Sequence, residues 1–364
     1  YFCIYMLQQS KSLSQLAFKK FKQNNIGMIS LCFILFCGFI ALFCYPLAPD
    51  NSNFANQMHL EIHSKPPGFK VDMLTIPSND KKETSLLNFL IHGNKDTGTE
   101  VPILSYKIKG ENLEIIKYAD GLLKEYPLSA IHNKPETYIK QRTFYFGTDK
   151  YGRDLLSRLL IGTRISFSIG FIAVFISLFI GIFIGAIGGY FGGKLDAFIM
   201  WVINITWSIP TLLLVIAITL ALGKGVWQVF IAVGLTMWVE VARVVRGQII
   251  TMKQQQYVEA AKALGFSDFR IIFRHILPNI MAPIIVISAA NFAGAILIES
   301  GLSFLGIGAQ PPTPSWGAMI KNHYNYIILG KPFLAVIPGL AIMSLVMAFM
   351  LLGNTLRDAL DVKN

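Results

Sequence analysis

Charge is scarce in this sequence. Asp, Glu, Lys and Arg make up 15% of the 364 residues, where a soluble chain carries about 25%. The deficit is uneven: most of the charge lies between Asp50 and Arg164, and the remainder runs as long apolar stretches. With 53% hydrophobic residues and a mean hydropathy of +0.52, the pattern excludes an ordinary soluble protein. It reads as an integral membrane protein with one water-facing insertion. Cysteine is scarce too. Cys32, Cys37 and Cys44 lie in the first apolar run, Cys3 precedes it, and the insertion has none. A disulfide framework or thiolate metal site is therefore excluded, and small buried hydrophobes are expected.

Catalytic constellations are also missing. Gly188–Lys194 imitates a phosphate-binding loop, but Leu195 stands where a Ser or Thr would ligate magnesium. His59 and His63 flank Glu61 without forming H-E-x-x-H, and Gly301-x-Ser303 lacks the second glycine of a nucleophile elbow. The chain reads as no enzyme, with no metal, ATP or other cofactor of its own. Its net charge of +11 lacks the interleaved aromatics of a nucleic-acid groove. Its basic residues instead flank apolar spans, where they set orientation in a lipid bilayer.

A membrane span needs about 20 mostly apolar residues. Six stretches qualify: Ile26–Tyr45, Ile165–Ile187, Ala197–Leu222, Val226–Val245, Ile280–Ile298 and Phe333–Leu352. Pro210, Pro283 and Pro338 lie in or near three of them, where neighbouring helices can re-satisfy the backbone. The first run is too long for a signal peptide and no A-x-A-like site follows it, so a retained helix is predicted. The numbering opens at Tyr1, and Met6 is a candidate initiator. The expected organisation is a tail over 1–25, a first span over 26–45, an insertion over 46–146, and a five-helix core over 147–364. An all-α fold of six spans is predicted, with a small mixed α/β insertion.

Orientation follows from the short loops. Lys11, Lys19, Lys20 and Lys22 precede the first span, and Arg246, Lys253, Lys262, Arg270 and Arg274 fill the loop that six spans place on the same side. Opposite loops hold only Lys224, Lys321 and Lys331. Both termini are expected in the cytoplasm. The insertion is expected outside, since long segments translocate largely regardless of charge. It alternates in strand fashion over Val101–Ile108 and Leu113–Tyr118 around a turn at Gly110–Asn112, which predicts a hairpin. Leu86–Ile91 predicts a short helix. Gly181, Gly185, Gly189 and Gly193, four apart, predict one close-packing helix face.

One segment breaks the apolar pattern. Gln256–Leu264 is a good helix former, and Gly265 is a natural stop because it takes positive φ cheaply. Ser267 is positioned to cap a second short helix with Asp268 in its first turn. Leu277-Pro278 is expected to end that element. Ala260 and Ala261 offer a low surface to a partner groove and Glu259 a charge for its Arg or Lys. The residues alone fit equally an interfacial amphipathic helix.

The stretch YVEAAKALGFSDFRIIFRHILPN, from Tyr257 to Asn279, resembles the cytoplasmic coupling loop of binding-protein-dependent ABC importers. His275 stands at a usually apolar position of that pattern. Gly147-Thr148-Asp149 with Gly152-Arg153-Asp154 resembles the run before the second span of dipeptide, oligopeptide and nickel importers. Ser303–Gly317, with Gln310, Pro311, Pro312 and Trp316, resembles their segment before the last span, and Leu356–Asp361 fits as well. The likeness covers roughly Thr143–Asp361 and points to the C-type permease.

The resemblance implies a coupling loop at 250–278 that docks an ATPase through Glu259, Ala260, Ala261, Gly265, Leu277 and Pro278. It implies a heterodimer with a B-type permease, two cytoplasmic ATPase subunits using ATP and Mg, and an extracytoplasmic solute-binding protein. The location would be the bacterial inner membrane. Peptides are the expected cargo, with nickel or another small solute of the same branch as the alternative; a stand-alone ion-coupled transporter is a more distant one. The insertion is longer than in the family, so its role does not carry over. Asp149, Arg153 and Asp154 are either a salt-bridged cap or substrate contacts, and Gln310–Trp316 a rigid turn or a ligand site. Glu240 and Arg243, at i,i+3, are either a pathway pair or, with Arg246, a set of interfacial anchors. Glu299 faces either the pathway or the interface.

Overall fold

The computed structural model describes residues 13–77, 85–94, 98–118, 121–128, 135–223 and 225–360. The expectations placed on Cys3, Met6, Lys11, Lys224 and Asp361 fall outside them. Among the described residues, five helices are long and apolar enough to cross a membrane: Asn25–Leu42, Leu155–Phe191, Val226–Lys253, Asp268–Leu305 and Phe333–Leu360. The third expected span, Ala197–Leu222, is instead two helices, Gly193–Ser208 and Thr211–Leu222, bent by 92°. Pro210 explains the break, since it offers no N–H to the preceding turn and biases the residue before it to extended backbone. Ile209 accordingly sits at φ −88° and ψ 127°. The count is five continuous spans, or six with the bent pair taken as one.

In chain order the helices used below are α1 (Leu13–Gln23), α2 (Asn25–Leu42), α3 (Leu86–His92), α4 (Leu155–Phe191), α5 (Gly193–Ser208), α6 (Thr211–Leu222), α7 (Val226–Lys253), α8 (Gln256–Ala263), α9 (Met281–Leu305), α10 (Trp316–His323) and α11 (Phe333–Leu360). Contacts divide the chain into two units. The first comprises Tyr1–Phe36, Ser168–Glu299 and Met343–Asn364, and the second Cys37–Phe167 and Ser300–Ile342.

In the first unit, lipid rather than water sets the logic. Phe171, Phe175, Phe179 and Phe183 form an exposed stripe along α4, which costs nothing against acyl chains. The opposite face is glycine. A Cβ on Gly181 would come within 2.8 Å of the Trp238 carbonyl, and one on Gly189 within 2.8 Å of the Arg246 carbonyl. So α4 and α7 touch backbone to backbone, as lipid-embedded helices must to associate. The fourth glycine of the expected face does not take part. Helix α4 ends at Phe191, and Gly192 (φ 69°) and Gly193 (φ 60°) turn the chain into α5 with nothing within 4 Å of either added Cβ.

The second unit holds the insertion. Its five strands, β1 (Phe69–Ile76), β2 (Thr99–Lys109), β3 (Asn112–Lys117), β4 (Leu123–Pro127) and β5 (Ile139–Phe144), form one antiparallel sheet ordered β4-β3-β2-β1-β5. The expected hairpin is β2–β3, and the expected short helix is α3. Leu74, Val101, Ile103, Leu113 and Ile115 make one small core, and Ile62, Val71, Met73 and Phe144 another.

Candidate functional site

The polar segment after α7 folds as its composition dictates. Helix α8 closes in a Schellman arrangement. The Phe266 N–H reaches the Ala261 carbonyl (3.2 Å) and the Gly265 N–H the Lys262 carbonyl (2.9 Å). Gly265 sits at φ +75°. Ser267 occupies the cap position in extended backbone, but its hydroxyl makes no capping bond. The Asp268 carboxylate is engaged elsewhere, accepting from the Tyr190 hydroxyl at 2.6 Å.

Pro278 does not end the element. The chain continues as a π-helical turn (Ile271–Ile276) and a 3-10 turn (Leu277–Ile280) straight into α9. Pro278 sits in the first positions of the 3-10 turn, where a missing N–H is tolerated, and the Asn279 side-chain amide donates to the His275 carbonyl at 2.6 Å.

Residues of this segment divide by face. Val258 and Ala261 are buried, in a core with Tyr190, Val245, Ile249, Ile271, Ile276 and Ile280. Glu259, Ala260, Gly265 and Pro278 are exposed, and Leu277 is half-buried. Ala260 and Ala261 therefore do not form one docking surface. Successive helical residues point about 100° apart, and only Ala260 looks outward. Leu264 (73% exposed) and Phe269 (70%) extend that outer surface. Tyr190 anchors the inner one. Beyond its bond to Asp268, its ring lies 5.4 Å from the Lys253 ammonium and 5.3 Å from that of Lys262, within the range of a cation–π attraction. Its backbone carbonyl accepts from Lys253 Nζ at 2.5 Å.

Glu240 and Arg243 do not pair. Arg243 stacks 3.5 Å over the Trp207 ring and donates to Asn204 Oδ1 at 3.0 Å, while Glu240 lines a cavity of about 320 Å³. That cavity lies where α5 breaks into α6, walled also by α7 and α9. Arg246 is not a free anchor. It holds Asp196 through two bonds of 2.5 and 2.6 Å, joining α7 to α5. Sequence reasoning passed over Asp196 and Tyr190. Asp196 carried a signal, a lone acid beside apolar runs, for which a basic partner is the rule. Glu299 is fully buried in α9.

In the second unit, Gly147–Asp154 folds back on the segment His59–Pro66. Gly147 (φ 81°) and Gly152 (φ 75°) need to be glycine twice over, since a Cβ on Gly152 would land on the His59 carbonyl and one on Gly147 on the Lys65 carbonyl. Asp149 is fully buried. Its Oδ1 accepts from the Tyr151 (2.8 Å) and Arg153 (3.0 Å) N–H groups, and its Oδ2 from Arg153 Nε (2.7 Å) and Nη2 (2.6 Å). Arg153 Nη1 reaches Asn56 Oδ1 at 2.9 Å. Asp154 accepts from the N–H of Ser157 at 2.9 Å and from its hydroxyl, so it caps the start of α4. Burial raises its pKa above the usual carboxylate value.

Trp316 is buried against Gly162 and donates to the Leu159 carbonyl at 3.0 Å. Gln310 Nε2 bonds the Gly306 and Gly308 carbonyls (3.2 and 3.0 Å), just ahead of a cis Pro311-Pro312 bond. Arg164 carried no sequence signal, yet it donates to the Ala41, Leu42, Leu90 and Ile91 carbonyls at 2.7–3.0 Å. One basic side chain thus satisfies the last carbonyls of both α2 and α3.

His323 closes this region. It is buried, its Nδ1 bonds the Met319 carbonyl (2.7 Å), and its Nε2 accepts from the Lys150 N–H (3.4 Å). Burial, opposed by Asp149 and the Met319 carbonyl, holds its pKa below the ordinary imidazole value. The folded state prefers neutral His323, whereas the unfolded chain takes up a proton at about pH 6.5. Its contribution is therefore complete above about pH 6.5 and is lost as pH falls toward the folded value. Thermal unfolding of the purified protein from pH 8 to 5 should show midpoints falling with acid, and His323→Gln should remove that part of the slope.

Comparison with known proteins places these features in a family. Residues 161–363 match the model for binding-protein-dependent transport system inner membrane components, and residues 12–67 match the N-terminal TM domain of oligopeptide transport permease C. The glutathione transport system permease protein GsiD of Shigella flexneri serotype 5b is 45% identical over 219 residues, 60% of this chain and 72% of the relative. Its counterpart in Escherichia coli O157:H7 is 44% identical over the same extent. Among solved structures, the inward-facing MetNI methionine ABC transporter aligns over 56% of this chain and 96% of its own, with a TM-score of 0.47 at 18% identity. Residues 68–160, which contain the sheet, lie outside both family matches. With more than half its length matched, the chain belongs to the binding-protein-dependent transport system inner membrane components, as a multi-pass permease of the importer class.

Proposed function

We propose that this chain forms half of the translocation pathway of an ATP-driven importer of di- or oligopeptides and docks a cytoplasmic ATPase through residues 250–278. The split faces of α8 carry the reading. Val258 and Ala261 hold the loop to the permease, while Glu259, Ala260, Leu264 and Phe269 are left on the outside. Exposed apolar side chains rimmed by charge (Glu259, Lys262, Arg270) suit a protein partner. Tyr190, Lys253 and Asp268 give that surface a rigid backing, so a push on it reaches α4 and α7 together.

The remaining parts follow the family: a B-type permease as the other half, two ATPase subunits that hold and hydrolyse ATP with Mg, and an extracytoplasmic solute-binding protein. Rocking between inward and outward states then moves the cargo. The basic loops support cytoplasmic termini. Peptide cargo is supported by the relatives named for glutathione, itself a tripeptide.

Glu259→Arg tests the docking. Glu259 is exposed. A surface substitution of this kind should change stability by no more than about 0.5 kcal/mol. The variant should lose its ATPase subunit on purification, and peptide uptake should fall at least about tenfold. Retention of both the subunit and transport rejects the docking role.

A further inference from the structure

The cavity at the break between α5 and α6 has a polarity that its position in a membrane protein does not require. Its wall includes Thr206 and Trp207 from the last turn of α5, Thr211 from the first turn of α6, Thr236 and Glu240 from α7, and Asn291 from α9. The hydroxyls of Thr206 and Thr236 donate to their own helices, at the carbonyls of Val202 (2.9 Å) and Val233 (2.8 Å). Toward the cavity they can only accept. Glu240 adds a carboxylate. The C-terminus of α5 adds negative partial charge. Its Ile205 and Thr206 carbonyls accept from the Ser208 hydroxyl and the Ile209 N–H, while helix geometry leaves those of Trp207 and Ser208 with no intrahelical donor. This half of the wall suits a cation rich in N–H donors.

The other half is opposite in sense. Helix α6 begins at Thr211, and its first N–H groups have no intrahelical acceptor. Asn291 is 2% exposed, and its Nδ2 has no hydrogen-bond partner among the described residues. A buried amide donor left unmade costs about 1–3 kcal/mol, so it marks a place where an acceptor is expected. Paired half-helix ends that read the charged groups of a small solute are a recurrent transporter device. At about 320 Å³ the space has the size of a small-ligand site.

We infer that this cavity binds the unblocked amino-terminal end of a peptide, with Glu240 and the end of α5 taking the α-ammonium, and Asn291 and the start of α6 taking the adjoining carbonyl oxygen. The inference deepens the peptide-importer reading and rests on it.

The test is equilibrium binding of radiolabelled Ala-Ala to the purified permease complex without binding protein, alongside uptake of Ala-Ala by cells carrying the full transporter. Wild type should bind Ala-Ala and discriminate against N-acetyl-Ala-Ala by about tenfold or more, the scale of a lost charge-assisted hydrogen bond. Glu240→Gln should weaken Ala-Ala binding by a similar factor and leave N-acetyl-Ala-Ala unchanged. Asn291→Leu should weaken both peptides alike. Equal binding of the free and acetylated peptides, no binding by wild type, or Glu240→Gln binding Ala-Ala normally overturns the inference. The first comparison needs no variant and stands even where a substitution prevents assembly. Absent uptake by wild-type cells would instead reject the peptide-importer reading itself.

Discussion

Asp149→Ala should destabilise the second unit by about 3–5 kcal/mol, the cost of leaving one member of a buried ion pair without the other. Arg153 is 5% exposed and Asp149 not at all, so the substitution leaves a nearly buried guanidinium without its carboxylate. The two backbone N–H groups of Tyr151 and Arg153 that end on Asp149 Oδ1 lose their acceptor together. Arg158 Nε, 3.9 Å from Asp149, loses a carboxylate partner as well. The thermal midpoint of the detergent-purified protein measures the effect. Asp149→Asn separates the contributions: it keeps the Oδ1 acceptor for the turn and puts an NH2 donor in place of the Oδ2 that accepts from Arg153, so the stability difference between the two variants reports the turn's bonds to Oδ1. A variant as stable as wild type would mean that the Gly147–Asp154 turn is held on that segment by its backbone bonds to His59, Ser64 and Lys65.

Gly185→Leu should have the other large effect, preventing accumulation of folded permease. A Cβ at this position would lie 3.0 Å from both Ala242 Cα and Val245 Cβ, and closer still to the Ala242 carbonyl. These are backbone and β-branched atoms with no room to yield, so α4 and α7 must separate. Overpacking by a methylene or two costs about 1–3 kcal/mol in a soluble core. A whole Leu side chain against a neighbouring backbone exceeds that. In lipid no hydrophobic force pulls the helices back together. The control is Phe179→Leu on the opposite side of the same helix, 71% exposed, which should change neither yield nor thermal midpoint. Equal behaviour of the two variants in membrane yield and in size-exclusion profile would refute the glycine contact.

These variants also separate what could be read early from what could not. The β2–β3 hairpin, helix α3, the α8 stop at Gly265 and the glycine face of α4 were legible because each is local: alternation, a positive-φ residue, or a spacing of four. Local reasoning failed where a distant residue supplied the other half. Ser267 looked like a cap, but Tyr190 had claimed Asp268 and the chain ran on through a π turn past Pro278. The spacing of Glu240 and Arg243 fitted either an i,i+3 pair or interfacial anchors, and Trp207 and Asn204 on the bent segment hold Arg243 instead. Arg164 gave no hint, since the four carbonyls it satisfies belong to helix ends far along the chain.

The sequence by itself determined the class: few charges, six apolar runs, one polar insertion, and a polar helix between two spans with its glycine stop. These follow from composition and short-range geometry, which no neighbour alters. Only the tertiary structure decided that Ala261 faces inward while Glu259 faces out, that Asp196 answers Arg246, and that an open cavity with Glu240 and Asn291 in its wall lies at the break at Pro210. The physical reason is the same in each case. Burial, pairing and cavity shape depend on which helix faces which, and in a membrane-spanning chain apolar periodicity does not say so, because lipid and protein interior are equally oily.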